Sequence, residues 1–223
     1  MSHYYSESLS GKRLKLCYDL APPRVQQYLD EEINCLRKRI KPGDYVLELG
    51  CGYGRVLKEL AFKTDHMFGI DNSWHSLNFG QKIHKSSNIG VLICMDAKKL
   101  GYHENQFDIV FCIQNGISAL NVDPAILIRE AIRVTKPSGK VLFSSYSDKF
   151  WNDRIEWFKI QSEHGLIGEI DHELTGEGVI ICRDGFRATT FSTAQFESLI
   201  SIMKKEYSIF EVDESSIFCE IIA

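Results

Sequence analysis

A chain of 223 residues with 44% hydrophobic and 25% charged side chains has the composition of a globular domain with room for one core and a small appendage. Its net charge of −4 offers no basic footprint for nucleic acid, and no stretch approaches the roughly 20 apolar residues of a membrane span, so neither partner is expected. Seven scattered cysteines without a Cys-x-x-Cys pair argue for reduced thiols and no metal site, and an N-terminus without an apolar leader core argues for a cytoplasmic location.

Lys12, Arg13 and Lys15, and again Arg37, Lys38, Arg39 and Lys41, concentrate positive charge near the start; solvated helix ends account for them as well as a binding patch does. Apolar residues at Val25, Tyr28, Leu29, Ile33, Leu36 and Ile40 keep a helical period between two proline pairs or turns. Strand-like and helix-like runs then alternate: strands over 45–49, 66–70, 90–94, 107–113 and 140–145, and helices over 55–62, 74–84 and 124–134. Five short apolar strands separated by helical patterns predict a parallel sheet covered on both faces, with a ligand crevice at the strands' carboxyl ends where the strand order reverses.

After Tyr146 the pattern changes. Residues 148–164 read as an aromatic amphipathic helix, followed by strand-like runs at 166–170, 178–182 and 186–191 with a hairpin turn at Arg183-Asp184-Gly185-Phe186. Ser192 and Gln195 have capping-box spacing and open a helix running to about residue 205. Runs at 208–212 and 217–222 close the chain as a hairpin.

Within the first strand and its turn stands Val46-Leu47-Glu48-Leu49-Gly50-Cys51-Gly52-Tyr53-Gly54-Arg55. A dinucleotide fingerprint needs Gly-x-Gly-x-x-Gly, but the third glycine comes one residue early and Arg55 occupies the required position. The decapeptide resembles the first motif of the class I S-adenosylmethionine-dependent methyltransferases, acid-x-Gly-x-Gly-x-Gly. The resemblance implies an α/β fold, a Rossmann-like seven-stranded, mostly parallel sheet with an antiparallel last strand and helices on both faces. It further implies a core of residues 1–147 and 192–223 with an N-terminal helical segment, and an inserted α+β substrate lid over 148–191.

S-adenosylmethionine is then the expected cofactor and S-adenosylhomocysteine the product. The implied cofactor-binding residues are Tyr18, Glu48, Gly50, Cys51, Gly52, Asp71, Asn72, Met95, Asp96, Ala97, Ile113 and Gln114. Asp71 resembles the acid that holds both ribose hydroxyls; it also suits a helix N-cap. Asp96 resembles the acid that meets the adenine amino group, with the N–H of Ala97 at the ring and Met95 as a polarizable face; a turn-capping aspartate is its other reading. Val134 to Lys140 resembles the family's Lys-Pro-Gly turn into the fifth strand, and Tyr18-Asp19-Leu20 a segment that folds across the cofactor's methionine end. Arg55 could reach the methionine carboxylate or be a solvated arginine.

Members that methylate nucleic acid bases or glutamine side chains carry Asn/Asp-Pro-Pro-Tyr at the end of the fourth strand, which Gln114-Asn115-Gly116-Ile117 does not match. A small-molecule acceptor methylated on nitrogen or oxygen is expected, with Asn115, Tyr146, Trp151, Arg183 and Arg187 as candidate substrate contacts. No catalytic residue is assigned, and a monomer and a homodimer are both compatible with the sequence. Two other functions keep a place: a non-catalytic S-adenosylmethionine-binding module, and an NAD(P)-dependent oxidoreductase, against which Arg55 and Asp96 both count.

Overall fold

The computed structural model describes Tyr4 and residues 8–223; residues 1–3 and 5–7 of the expected core lie outside the described residues. Two helices, α1 (Lys12–Asp19) and α2 (Pro23–Arg37), precede the first strand. Pro23 opens α2, where its missing N–H costs nothing. The alternating series follows: β1 (Val46–Leu49), α3 (Arg55–Leu60), β2 (Met67–Asp71), α4 (Trp74–Ile83), β3 (Val91–Cys94), β4 (Phe107–Cys112), α5 (Gly116–Ala119), α6 (Pro124–Val134) and β5 (Thr135–Tyr146). Beyond a 3₁₀ turn at Asp148–Phe150 lie α7 (Trp151–Glu163), β6 (Ile180–Ile181), β7 (Arg187–Ala188), α8 (Thr193–Met203), β8 (Tyr207–Val212) and β9 (Ser216–Ile222).

The main sheet has seven strands in the order β3-β2-β1-β4-β5-β9-β8. β9 runs antiparallel to both neighbours and all other pairings are parallel, so the expected Rossmann-like sheet with one reversed strand is present. The chain winds outward from β1 to β3 and then returns to β4 on the other side of β1. That reversal opens a crevice between the carboxyl ends of β1 and β4.

Because strand side chains alternate, β1 supplies both faces. Leu47 and Leu49 pack with Val110, Val141 and Phe143 against α6 and α8, while Val46 packs with Ile109, Phe111 and Leu142 against α2, α3 and α4. A third apolar cluster sits above the strand ends. It joins Leu9 and Cys17 of the N-terminal segment, Val25, Tyr28 and Leu29 of α2, and Trp157, Phe158, Ile180 and Phe186 of the inserted segment.

Three expectations need correction. Helix α1 has no counterpart in the sequence reading: its N-cap is Gly11 with no side-chain cap bond, and the Gly11 N–H is held by Ser76 Oγ of α4 at 3.0 Å. The run 166–170 is not a strand; among its residues Ile170 alone makes a bridge, to Cys182. The Lys136–Gly139 turn is a bulge within β5 rather than a turn before it. Between the pairs Phe107↔Thr135 and Ile109↔Lys140 the register slips, with Ser138 at φ 66°. Pro137 has no N–H for a ladder, and a Cβ on Gly139 would lie 2.8 Å from Asp108 O.

Candidate functional site

The turn after β1 is fixed by β2. The N–H groups of Gly50 and Cys51 both donate to Ile70 O, at 2.8 and 2.9 Å. Gly50 and Gly52 sit at φ 78° and 53°, the left-handed region that glycine enters without a Cβ penalty. Their bare faces are crowded: a Cβ on Gly50 would meet Leu120 Cδ2 at 2.8 Å, and one on Gly52 would meet Leu14 Cδ2 at 3.0 Å.

Asp71, at the end of β2, anchors this turn. One carboxylate oxygen accepts the Gly52 N–H at 2.8 Å and the other accepts the Ser73 N–H at 2.7 Å. Capping of α4 falls to Ser73, whose hydroxyl oxygen accepts from Ser76 N, so Asp71 is not spent as the helix cap. Burial raises its pKa, and the two N–H donors pull it back.

Glu48 and Arg55 flank the turn. Glu48 is 5% exposed, on the face of β1 that looks toward α2 and α3. Burial pushes its carboxyl up to about 8, against the pull of the Arg55 charge. Arg55 opens α3 with its guanidinium 4.5 Å above the Tyr18 ring. Among the described residues neither Glu48 Oε2 nor Arg55 Nε and Nη2 has a hydrogen-bond partner, although all three atoms are buried. Buried polar atoms of native proteins are nearly always paired, so these three mark a place for a complementary ligand.

The end of β4 forms the facing wall. Gln114 and Asn115 follow one another at φ 56° and 60°, and the Gln114 N–H is shared between Glu32 Oε2 at 2.7 Å and Ser144 Oγ at 2.8 Å. The Asn115 amide is committed at both ends: Nδ2 donates to Thr189 O, and Oδ1 accepts from Ser145 Oγ, each at 2.8 Å. Asn115 therefore lines the site as a brace to the inserted segment, with one hydrogen bond at each end of its amide.

These groups surround one partly enclosed cavity whose lining includes Tyr18, Glu48, Gly50, Cys51, Gly52, Asp71, Asn72, Ile113, Gln114, Asn115 and Tyr146 of the expected residues. Met95, Asp96 and Ala97 stand outside that lining. They follow β3 beside Asp71, with Met95 N donating to Asp71 O at 3.1 Å. Asp96 is exposed and its carboxylate caps the turn at Lys98 N. The candidate substrate residues of the insertion also stand outside that lining. Arg183 is exposed and paired with Glu169 at 3.1 Å, Arg187 is exposed on the two-stranded hairpin, and Trp151 lines a separate recess below the Arg154 guanidinium.

Several lining residues were not among the expected site residues. Leu9, Leu14 and Cys17 cover the glycine turn from the N-terminal side, and Trp157, Phe158 and Gln161 of α7 close the opposite side. Trp157 Nε1 donates to Cys17 O at 2.9 Å, tying the two covers together. The basic cluster near the start is also structural: Arg13 donates to the carbonyls of Ser8, Gly165 and Leu166, and Lys15 pairs with Asp19.

A family model described as a methyltransferase domain matches residues 46–139, the stretch from β1 through the β5 bulge. Cycloartenol-C-24-methyltransferase of Arabidopsis thaliana is 30% identical over 141 residues, 60% of this chain and 41% of that protein. A ubiquinone biosynthesis O-methyltransferase of Pseudomonas fluorescens (strain SBW25) is 30% identical over 133 residues, 59% of this chain and 53% of that protein. The chain thus spans about half the length, or less, of these curated relatives. A solved structure from Pyrococcus horikoshii OT3 superposes with a TM-score of 0.67 at 21% identity, covering 100% of this chain and 99% of that one, a likeness of fold over the whole length. With the glycine turn, the acids at the ends of β1 and β2 and the strand order in place, residues 46–139 are similar to a methyltransferase domain, and the whole chain shares the fold of solved structures described as S-adenosylmethionine-dependent methyltransferases.

Proposed function

We propose that the protein moves the methyl group of S-adenosylmethionine to a nitrogen or oxygen of a small molecule. One observation carries the reading: Glu48 and Arg55 present buried, unpartnered carboxylate and guanidinium atoms to the same cavity. An α-amino acid end carries an ammonium and a carboxylate, the complement of that pair. In this assignment Arg55 takes the carboxylate, Glu48 the ammonium, and the second lone pairs of Asp71 the ribose hydroxyls. Asn72 and the Met95–Ala97 strand end are left for the adenine.

When bound, the cofactor supplies an electrophilic methyl group on a sulfonium. The chain's part is then placement and exclusion of water. Leu9, Leu14, Trp157 and Phe158 roof the cavity with apolar surface. Tyr28 and Tyr146 line the same space; burial raises both hydroxyls, Tyr146 to about 12, which makes them hydrogen-bond donors rather than bases. An amine with a free lone pair asks least of such a site, and a hydroxyl acceptor asks for a base of its own. The names of the relatives include an O-methyltransferase of ubiquinone biosynthesis and a phosphoethanolamine N-methyltransferase, which supports a small acceptor and leaves the atom to experiment. Residues 148–191 act in this reading as a substrate lid through α7 and Ala188. Among the described residues no helix is long and apolar enough to cross a membrane.

Calorimetric titration with S-adenosylhomocysteine and S-adenosylmethionine, with NAD and NADP as controls, tests the reading. Micromolar binding of the first pair alone is expected. Preference for a dinucleotide, or no binding by folded, ligand-free protein, overturns it; binding without turnover on any acceptor of an amine and phenol panel favours the non-catalytic module.

A further inference from the structure

Glu32 is a buried carboxylate for which cofactor binding and roofing have no use. It belongs to the middle of α2, is 0% exposed, and is not part of the cavity wall. Both its oxygens are nevertheless engaged: Oε2 accepts the Gln114 N–H at 2.7 Å and Oε1 accepts the Ser216 hydroxyl at 2.7 Å. A buried carboxylate is expensive; burial pushes this one up to about 7 even with the Ser216, Ser144 and Gln114 donors and the Arg55 charge pulling it back.

The backbone it holds is itself unfavourable. Gln114 and Asn115 are two consecutive non-glycine residues at φ 56° and 60°, a left-handed conformation whose strain surrounding contacts must offset. Asn115 has its own tethers, to Thr189 and Ser145. Gln114 has its N–H alone: its side-chain Nε2 is buried without a partner among the described residues, and the residue lines the cavity. Without a fixed backbone that amide would have no reason to stay where a ligand can use it.

We infer that Glu32 is a positioning residue, whose carboxylate reaches from α2 to clamp the Gln114 N–H and so sets the Gln114 amide toward the ligand across from the glycine turn. The inference rests on the cofactor reading of the cavity. The clamp is geometric: it needs an acceptor oxygen at the reach of a glutamate side chain. Glu32→Gln keeps such an oxygen, and its amide N–H can donate to Ser216, which accepts in turn. Glu32→Asp keeps the charge but falls one methylene short.

The test is the S-adenosylmethionine affinity of the full chain, measured by calorimetry for the wild type, Glu32→Gln, Glu32→Asp, Gln114→Ala and the Glu32→Asp/Gln114→Ala pair, with melting temperatures alongside. The expected order is a Glu32→Gln protein within about threefold of wild type and a Glu32→Asp protein about tenfold weaker, the loss of one oriented hydrogen bond. If Glu32 acts through Gln114, the double variant is no more than about threefold weaker than Gln114→Ala, because effects in one chain of contacts do not add. The reverse order, with aspartate tolerated and glutamine not, makes the charge rather than the clamp the requirement and overturns the inference. Additive losses overturn it equally, as does wild-type affinity in Glu32→Asp. A wild type that binds no S-adenosylmethionine overturns the cofactor reading itself, a result separate from any ordering of the variants.

Discussion

The Gly52 N–H donates to Asp71 Oδ2 over 2.8 Å, so the glycine turn after the first strand and the acid at the end of the second form one unit. Asp71 thereby holds the loop with one carboxylate, while each of its oxygens keeps a further lone pair. Asp71→Ala should weaken S-adenosylhomocysteine binding by about 10- to 100-fold, the scale of a lost charged hydrogen bond, as measured by calorimetry. Asp71→Asn should keep the Ser73 bond and lose less.

Two glycines separate binding from stability. At Gly52 a branched side chain would be forced into φ 53° beside Leu14, at the cavity surface. Gly52→Val is expected to abolish measurable cofactor binding, by more than about 100-fold, while the protein still melts cooperatively; the positive φ itself costs about 1–2 kcal/mol. At Gly80, on α4, a Cβ would stand 2.4 Å from Tyr53 O. Gly80→Ala should lower stability by about 1–3 kcal/mol through backbone displacement, seen as an earlier urea midpoint.

Asn115→Ala removes the donor to Thr189 O and the acceptor for Ser145 Oγ at a left-handed position. Expected destabilisation is about 2–3 kcal/mol, measured by urea unfolding. The same change should increase hydrogen exchange at Phe191 N, which donates to Ser145 Oγ. Unaltered protection there would mean that the brace holds without the amide.

Glu48 sets a pH dependence. Its folded pKa of about 8 lies above the ordinary carboxylate value, so the folded state binds a proton that the unfolded chain has released. Its stabilising contribution is complete below about pH 4.5 and is lost as pH rises through about 8. Glu32, at about 7, acts in the same direction. The ligand-free protein should therefore melt earlier as pH rises from about 6 to 9, and Glu48→Gln should flatten that slope. Because an ammonium beside Glu48 favours its carboxylate form, S-adenosylmethionine binding at pH 7 should release up to about one proton. Calorimetry in two buffers of different ionisation heat checks this, with no release expected from Glu48→Gln.

Much of the architecture was legible because its signals are local. The capping box of Ser192 and Gln195 is present with both bonds, α6 runs over the residues its periodicity marked, and Arg183 to Phe186 closes the small hairpin through a Cys182 N to Phe186 O bond. Local signals do not place every side chain. Arg183 and Arg187 were expected among the substrate contacts, yet both are exposed on the small hairpin and outside the cavity lining. Arg154 carried no such signal, being one charge in an amphipathic helix. It is 1% exposed, with its guanidinium 4.2 Å from the Tyr146 ring and Nη1 on Gly178 O and Thr190 Oγ1.

By itself the sequence determined the alternation of strands and helices, the glycine turn with Glu48 before it, and Asp71 one strand later, since each depends on residues within a few positions of one another. The tertiary structure alone decided what surrounds that turn. An uncapped helix at residues 12–19 is held over it by Ser76 and Trp157, and an acid 82 positions before Gln114 clamps its N–H. Burial and long-range hydrogen bonding make those assignments, and neither has a period or a spacing that a single chain can display.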